Sequence, residues 1–234
     1  MARPFLTARW SHLVNLTYAV DPALLEPHTP RGVTLDVQEG EAFVSLVAFD
    51  FLDTRVWGIP WPGFTNFPEL NLRFYVKNGD ERGVVFIREY VPQRLVASMA
   101  NALYNEPYVA APMGSLVRDD DELVTFELWL DVGGRRHHVR ATGRHPAWTP
   151  PPDSRAHYFK EHEWGWGTDK RGRTLKYRVE HPVWETWPMQ SHSLDLDFAT
   201  LYGPEWAHLA HAEPVERLMA VGSPVKVFPG EVVP

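Results

Sequence analysis

The strongest pattern in the chain is an alternation of apolar and polar side chains in residues 67–92. In the first half of this stretch, four apolar positions alternate with four polar ones: Leu70, Leu72, Phe74 and Val76 against Glu69, Asn71, Arg73 and Tyr75. A period of two residues predicts a β-strand with two different faces. The turn at 78–83 and a second alternating run complete a predicted hairpin. Its polar face either forms an outer surface or lines a cavity.

The return strand is expected to place Val85, Ile87 and Val91 on one side and Arg88 and Tyr90 on the other. Arg88 stands next to a glutamate in an otherwise apolar run. Because buried charges are normally paired, two interpretations of Arg88 stay open. It forms a salt bridge within the protein, or it binds a ligand.

Short runs of strand-forming residues recur along most of the chain. Strands are predicted at residues 10–20, 33–37, 42–51, 108–117, 123–132, 136–142, 163–166, 174–180, 183–187, 193–197 and 217–228. Short helices are predicted at 21–26, 92–107, after 153 and near 198–202. Many short strands without a βαβ repeat predict an α+β, mainly β, barrel-like fold. We expect a single domain over residues 1–234, with the proline-rich segment 146–152 as the best boundary between two halves.

Composition narrows the range of functions. A chain of 234 residues with 44% hydrophobic content can bury a full core. A net charge of −7 argues against a nucleic-acid partner, because binding phosphates requires a basic face. The absence of cysteine excludes disulfides, cysteine-ligated zinc and thiol catalysis. No run approaches the roughly 18 apolar residues of a membrane span, so we expect no membrane partner and a cytoplasmic location.

Residues 53–67 form a long predicted loop that is rich in proline, glycine and aromatic side chains. Burying Trp57, Trp61 and Phe64 requires either a lid closed over a cavity mouth or a partner surface. Because the loop directly precedes Glu69, we favour the lid.

Motifs of several common enzyme classes are missing. The chain has no Gly-x-Ser-x-Gly nucleophile motif, no phosphate-binding loop and no dinucleotide fingerprint. Its eleven histidines do not show a convincing metal-ligand spacing, and we expect no metal and no cofactor. If a metal site existed, His162, Glu163 and His181 would be its first suspects.

Five motifs carry a resemblance to a known family: FPELNLRFYV, GVVFIREYVP, LYNEPY, EHEWGWG and YRVEHPVW. Together they resemble the YqjF-like family of uncharacterised conserved bacterial proteins, known as domain of unknown function 2071. The resemblance extends over nearly the whole chain. That family is grouped with the acetoacetate decarboxylase-like superfamily, which implies a closed β-barrel with its active site in the interior.

The resemblance also bears on the reaction. In acetoacetate decarboxylase, a lysine that follows a proline forms a Schiff base with a β-keto acid. The corresponding place here is Pro107-Tyr108-Val109, and no lysine occurs between Lys77 and Lys160. Acetoacetate decarboxylase activity is therefore not expected.

Within such a barrel, the polar face of the hairpin is expected to point inward. Glu69 falls where the decarboxylase has an active-site glutamate, and Glu69 and Tyr108 are the expected catalytic residues. The expected ligand-binding residues are Asn71, Arg73, Arg88 and Tyr104. Of these, Arg73 or Arg88 would clamp a carboxylate with two parallel hydrogen bonds.

The predicted function is binding of a small organic carboxylate in a barrel cavity, with or without a reaction that avoids a Schiff base. The alternative is a non-enzymatic module: a ligand sensor, or a structural homo-oligomer with a packed barrel interior. An open pocket of a few hundred cubic ångströms beside Glu69 and Arg73 would favour binding. Leucine or phenylalanine side chains that fill this space would exclude it.

Overall fold

The computed structural model describes residues 3–103, Asn105 and residues 107–233, and its strands form two sheets. The larger sheet contains β1 (Leu6–Val20), β2 (Thr34–Leu35), β3 (Ala42–Val56), β4 (Phe67–Asn78), β5 (Glu81–Val91), β6 (Tyr108–Ala110), β10 (Trp164–Thr168), β11 (Thr174–Glu180), β12 (Thr186–Trp187), β14 (Glu216–Val227) and β15 (Glu231–Val232). The smaller sheet contains β7 (Met113–Asp119), β8 (Leu123–Val132), β9 (Arg135–Arg144) and β13 (Met189–Asp195). The α-helices in this part of the chain are α1 (Arg94–Leu103), α2 (Arg155–Lys160) and α3 (Phe198–Tyr202).

Seven strands of the larger sheet pair one after another in the order β14, β1, β3, β4, β5, β10 and β11. Strand β11 also pairs with β14, through Val179 with Val227 and Glu180 with Lys226, so the series returns to its first strand. Neighbours in the series are antiparallel except β5 and β10, which are parallel. The prediction of a mainly β fold is confirmed.

The smaller sheet and α3 cover one face of the larger sheet. Leu72 of β4, Phe126 of β8 and Leu201 of α3 belong to the same cluster of fully buried apolar side chains. The strands of the smaller sheet run in the order β13, β9, β8 and β7. The main core therefore lies between the two sheets, and the opposite face of the larger sheet is left to line an interior space.

Strand β4 is buried on both faces from Phe67 to Val76. Its apolar positions, such as Leu70 and Leu72, pack into the core between the sheets. Its polar positions, which include Glu69 and Arg73, face the other way and are also buried. The alternation therefore corresponds to a strand between a core and an interior space.

Strand β5 contains a β-bulge that changes which side chains share a face. Leu72 lies opposite Arg88, and Arg73 lies opposite Phe86, so the intervening Ile87 is the extra residue. The expectation that Val85 and Val91 share a face is wrong. Val85 packs into the core between the sheets, whereas Val91 joins the inner cluster.

Several element boundaries differ from the sequence expectation. The predicted helix at 21–26 is a pair of 3-10 turns, Pro22–Leu24 and Glu26–His28. The predicted strand at 108–117 is interrupted and contributes β6 to one sheet and β7 to the other. The break between β6 and β7 contains Pro112, which has no backbone N–H to donate to a neighbouring strand. None of the helices in the described ranges is long and apolar enough to span a membrane.

Candidate functional site

A cavity of about 360 Å³ lies against the inner face of the larger sheet. Strands β3, β4 and β5, helix α1, the loop before β4 and the end of α2 all contribute to its wall. The ionisable and amide side chains in this wall, tyrosines aside, are Glu69, Asn71, Arg73, Glu89, Lys160, His162 and His181. Much of the remaining wall is aromatic or aliphatic. The cavity thus combines a polar cluster with a large apolar surface.

Glu69 is the carboxylate at the centre of the polar cluster, and its side chain is buried. Asn71 donates a hydrogen bond from Nδ2 to Glu69 Oε1 over 2.8 Å. Tyr108 donates from its hydroxyl to Glu69 Oε2 over 3.0 Å. Burial raises the pKa of Glu69 to about 7, although these two donors and the charge of Arg73 act in the opposite direction. Glu69 can therefore gain or lose a proton near neutral pH.

Glu89 is a second buried carboxylate, directly opposite Asn71 on β5. The bulge at Ile87 turns it to the cavity side. Burial raises the pKa of Tyr108 well above its ordinary value, and the negative charges of Glu69 and Glu89 raise it further. The Tyr108 hydroxyl therefore keeps its proton and acts as a hydrogen-bond donor.

Arg73 is a buried guanidinium with few hydrogen bonds. Its Nη2 donates to the backbone carbonyl of Phe159 over 3.5 Å, and its Nε has no hydrogen-bond partner among the described residues. The same carbonyl accepts from Asn15 Nδ2 at 3.3 Å and from the Tyr75 hydroxyl at 3.5 Å. Arg73 thus keeps hydrogen-bonding capacity that the protein leaves unused.

Helix α2 brings two further side chains to the cavity. Ser154 caps its N-terminus by accepting from the His157 amide, and the helix ends at Lys160. The Lys160 side chain is fully buried and forms an ion pair with Glu161. Glu161 also accepts from the Trp184 amide over 3.2 Å, which holds this pair in place.

His162 is buried beside Tyr75, with 4.9 Å between the two ring centroids. Neither ring nitrogen has a hydrogen-bond partner within the described ranges. Burial lowers its pKa well below the ordinary value, and the positive charges of Arg73 and Arg82 lower it further. His162 is therefore neutral at pH 7, with one N–H to donate and one nitrogen to accept.

The structure brings together four of the six predicted site residues: Glu69, Asn71, Arg73 and Tyr108. Arg88 lies apart from them on the opposite face of the hairpin, where its Nη1 donates to the carbonyl of Leu201 in α3. Tyr104 lies outside the described residues.

The loop before β4 supplies part of the wall, as its aromatic content suggested. Trp61 and Phe64 line the cavity. Trp57 does not, and it packs edge-on against Phe5 with 5.3 Å between ring centroids. Because β3 extends to Val56, the loop is shorter than predicted and spans residues 57–66.

Sequence reasoning missed Glu89 and Lys160 and considered His162 only as a metal ligand. Glu89 required knowledge of the bulge, and Lys160 and His162 reach the cavity through tertiary packing of α2. Within the described part of the chain, no group of three or more histidine, aspartate and glutamate side chains can hold a metal ion. Glu163 is largely exposed, unlike its neighbour His162.

Solved structures with a similar fold include an acetoacetate decarboxylase, an acetoacetate decarboxylase-like enzyme and a biosynthetic enzyme. The decarboxylase of Legionella pneumophila is 14% identical, with a TM-score of 0.67 over 100% of this chain and 88% of that chain. An acetoacetate decarboxylase-like enzyme from Sphingomonas wittichii RW1 is 12% identical, with a TM-score of 0.67 over 97% and 92%. The enduracididine biosynthesis enzyme MppR in complex with pyruvate is 16% identical, with a TM-score of 0.65 over 99% and 91%. At these identities the likeness shows the fold.

Sequence comparison identifies the family. The uncharacterised protein YqjF of Bacillus subtilis is 28% identical over 142 residues, which are 60% of this chain and 55% of YqjF. The match thus spans about half the length of that relative. The family model of DUF2071, described as an uncharacterised conserved protein, matches residues 7–224. The chain therefore belongs to the DUF2071 family, and its fold is that of the acetoacetate decarboxylase-like proteins.

Proposed function

We propose that the cavity binds a small organic carboxylate and that Arg73 holds the carboxylate group. The observation that carries this proposal is a buried guanidinium in the wall of a cavity of about 360 Å³, whose Nε has no hydrogen-bond partner among the described residues. A buried charge is costly unless it is paired and hydrogen-bonded. A ligand carboxylate supplies both the opposite charge and two acceptor oxygens in the geometry of a guanidinium.

The shape of the fold supports an enclosed site. The returning pair of β11 with β14 is consistent with a closed barrel whose interior is the cavity. An open interior of this size counts against the alternative of a structural module with a packed barrel. One protein of similar fold was solved with pyruvate, which is itself a small carboxylate.

In this proposal Glu69 is the catalytic acid or base, and Tyr108 assists it as a hydrogen-bond donor. A carboxyl group with a pKa of about 7 exchanges protons at the pH at which enzymes work. Tyr108 fixes its orientation through the hydrogen bond to Oε2. A ligand held by Arg73 therefore meets a proton donor or acceptor on the same strand, with Asn71 between them.

Lys160 does not replace the missing decarboxylase lysine in this proposal. Attack on a carbonyl requires a neutral amine. Lys160 Nζ is engaged with the Glu161 carboxylate in the structure, so a nucleophilic role would first require this ion pair to break. We infer that any reaction in the cavity proceeds without a Schiff base.

The test compares Arg73→Ala with Arg88→Ala, a change of the same kind on the opposite face of the hairpin. Calorimetry and thermal shift with pyruvate, acetoacetate and butyrate are expected to show binding of at least one acid to the wild type and to Arg88→Ala. Arg73→Ala should lose about 10- to 100-fold in affinity, since one charged hydrogen-bonded partner contributes about 1.5–3 kcal/mol. Equal affinity in Arg73→Ala and the wild type would refute the clamp.

A further inference from the structure

The apolar part of the cavity wall is a continuous group of aromatic rings. Trp10 lies 5.4 Å from Phe49 and 5.8 Å from Trp184, measured between ring centroids. Phe51 lies 4.8 Å from Phe67 in the same group. All five side chains line the cavity. We call these five residues the aromatic wall.

The opening of the cavity is also apolar. Trp61 and Leu95 line it, yet they are 49% and 48% exposed, so they mark the side that faces solvent. Gln93, just before α1, donates to the carbonyl of Gly63 over 3.5 Å and links the helix to the loop. The polar cluster, by contrast, is formed by buried side chains such as Glu69 and Arg73. A ligand that enters past Trp61 therefore reaches the cluster with its polar end first.

We propose that the ligand is an aryl-substituted carboxylate, whose ring packs against the aromatic wall while its carboxylate lies at Arg73. This inference rests on the proposed function and specifies its ligand class. A short acid such as propanoate leaves most of the apolar wall in contact with water. An attached ring removes that surface from water, which should raise the affinity on the order of 30-fold for a phenyl-sized group.

An aromatic ring suits this wall better than an aliphatic ring of the same size. Aromatic pairs in edge-on or offset contact gain roughly 2- to 10-fold in affinity beyond the effect of the area that they bury. The rings of the wall already meet one another in such contacts: Trp10 meets Phe49 edge-on at 64°, and Phe51 stacks with Phe67 at 21°. The indole Nε1 of Trp10 has no hydrogen-bond partner among the described residues. It is therefore an additional donor for a polar substituent on the ligand.

The experiment is calorimetry of the full chain with matched acids. Phenylacetate, 3-phenylpropanoate and 4-phenylbutyrate are each compared with the cyclohexyl acid of the same chain length and with propanoate. The best aryl acid should bind at least about 10-fold more tightly than propanoate and roughly 2- to 10-fold more tightly than its cyclohexyl partner. Propanoate binding as tightly as every aryl acid, or cyclohexyl acids binding as tightly as the aryl acids, would overturn the aryl assignment and leave the carboxylate proposal intact. If no acid binds, both proposals fail.

Two variants of the exposed loop separate ring binding from general effects. Trp61→Ala removes a cavity-lining ring, whereas Ile59→Ala removes an apolar side chain of the same loop that is 55% exposed and does not line the cavity. Trp61→Ala should weaken the aryl acid at least 3-fold and leave propanoate unchanged. Ile59→Ala should leave both unchanged. An equal loss for both acids in Trp61→Ala would show that the loss does not depend on the ligand ring and would count against the aryl assignment.

Discussion

Glu69 and Arg73 lie on one face of one strand, yet burial acts on their charges differently. A guanidinium keeps its charge in almost any environment, so a buried guanidinium requires a negatively charged or hydrogen-bond-accepting partner. A carboxyl group instead becomes neutral as its pKa rises, and burial brings the pKa of Glu69 to about 7. The cavity thus keeps a fixed positive charge beside a group whose charge depends on pH.

The raised pKa of Glu69 predicts a specific pH dependence of stability. Between pH 4.5, the ordinary pKa, and about 7, the folded state binds more protons at this site than the unfolded state. The free energy of unfolding therefore falls as the pH rises through this window, by on the order of 3 kcal/mol from this group. Urea unfolding at pH 4.5 and pH 8 should show a smaller decrease in Glu69→Gln than in the wild type.

The matched control for this prediction is Glu163→Gln, because the Glu163 side chain is 67% exposed. Its stability should follow the wild-type pH dependence. Glu69→Gln with the full wild-type decrease would show that Glu69 titrates normally in the folded protein.

The sequence located part of the site because a strand alternates strictly. Glu69, Asn71 and Arg73 follow each other at two-residue spacing, so one face had to hold all three. The faces on which Arg88 and Glu89 lie were harder to predict. The extra residue in β5 is Ile87, whereas a glycine at this position would have marked the bulge. Lys160 and His162 carry no local signal at all. Their place in the cavity depends on how α2 packs against residues far away in sequence.

At the scale of elements, the pair β10–β11 is set by a close contact between a glycine and an aromatic ring. Gly165 is the cross-strand partner of Tyr177, and both line the cavity. A Cβ at Gly165 would lie 2.1 Å from Cζ of Tyr177. The absence of a side chain therefore lets the tyrosine ring lie directly over its partner strand.

Gly165→Ala is expected to destabilise the protein by about 1–3 kcal/mol, because the Tyr177 ring must move out of its position. Chemical denaturation measures the change. In a Tyr177→Ala background the same substitution should cost much less, since the opposing ring is gone. An equal cost in both backgrounds would show that the contact with Tyr177 is not the cause.

The bounds of a helix or strand could be predicted from the sequence where its tertiary contacts favour the same structure as its own residues do. Helix α3 was expected near 198–202, and Asp197 caps it by accepting from the Thr200 amide and hydroxyl. The strand predicted at 183–187 is shorter in the structure, because only Thr186 and Trp187, which form β12, pair with β14. An apolar run predicts a strand, but backbone hydrogen bonds between strands form only where a second strand lies alongside.

At the scale of the whole molecule, the larger sheet depends on a short contact between β11 and β14. This contact consists of two residue pairs, Val179 with Val227 and Glu180 with Lys226. Strand β1, in contrast, pairs with β14 along most of its length, from Leu6 to Thr17. The β11–β14 contact is therefore one of the two shortest in the series of paired strands, together with the contact of β5 with β10, which also consists of two residue pairs. A single domain over residues 1–234 and assembly into a homo-oligomer stay predictions.

Hydrogen–deuterium exchange can detect this difference. Residues 175–180 are expected to exchange faster than residues 13–20 of β1, because fewer contacts must break for local opening. They should still exchange more slowly than the loop at 57–66. Fast exchange at residues 179–180, the part of β11 that pairs with β14, would contradict a lasting contact between these two strands.

The hydrogen bonds to the Phe159 carbonyl affect how readily the cavity can bind a charged ligand. A carbonyl oxygen offers two lone pairs, but Asn15, Arg73 and Tyr75 all donate to this one. If Arg73 donates to a ligand instead, Asn15 and Tyr75 still donate to the carbonyl, so no buried acceptor is left without a hydrogen bond. Rearrangement of Arg73 therefore leaves the Phe159 carbonyl hydrogen-bonded, which removes one of the costs that would reduce the affinity for a ligand.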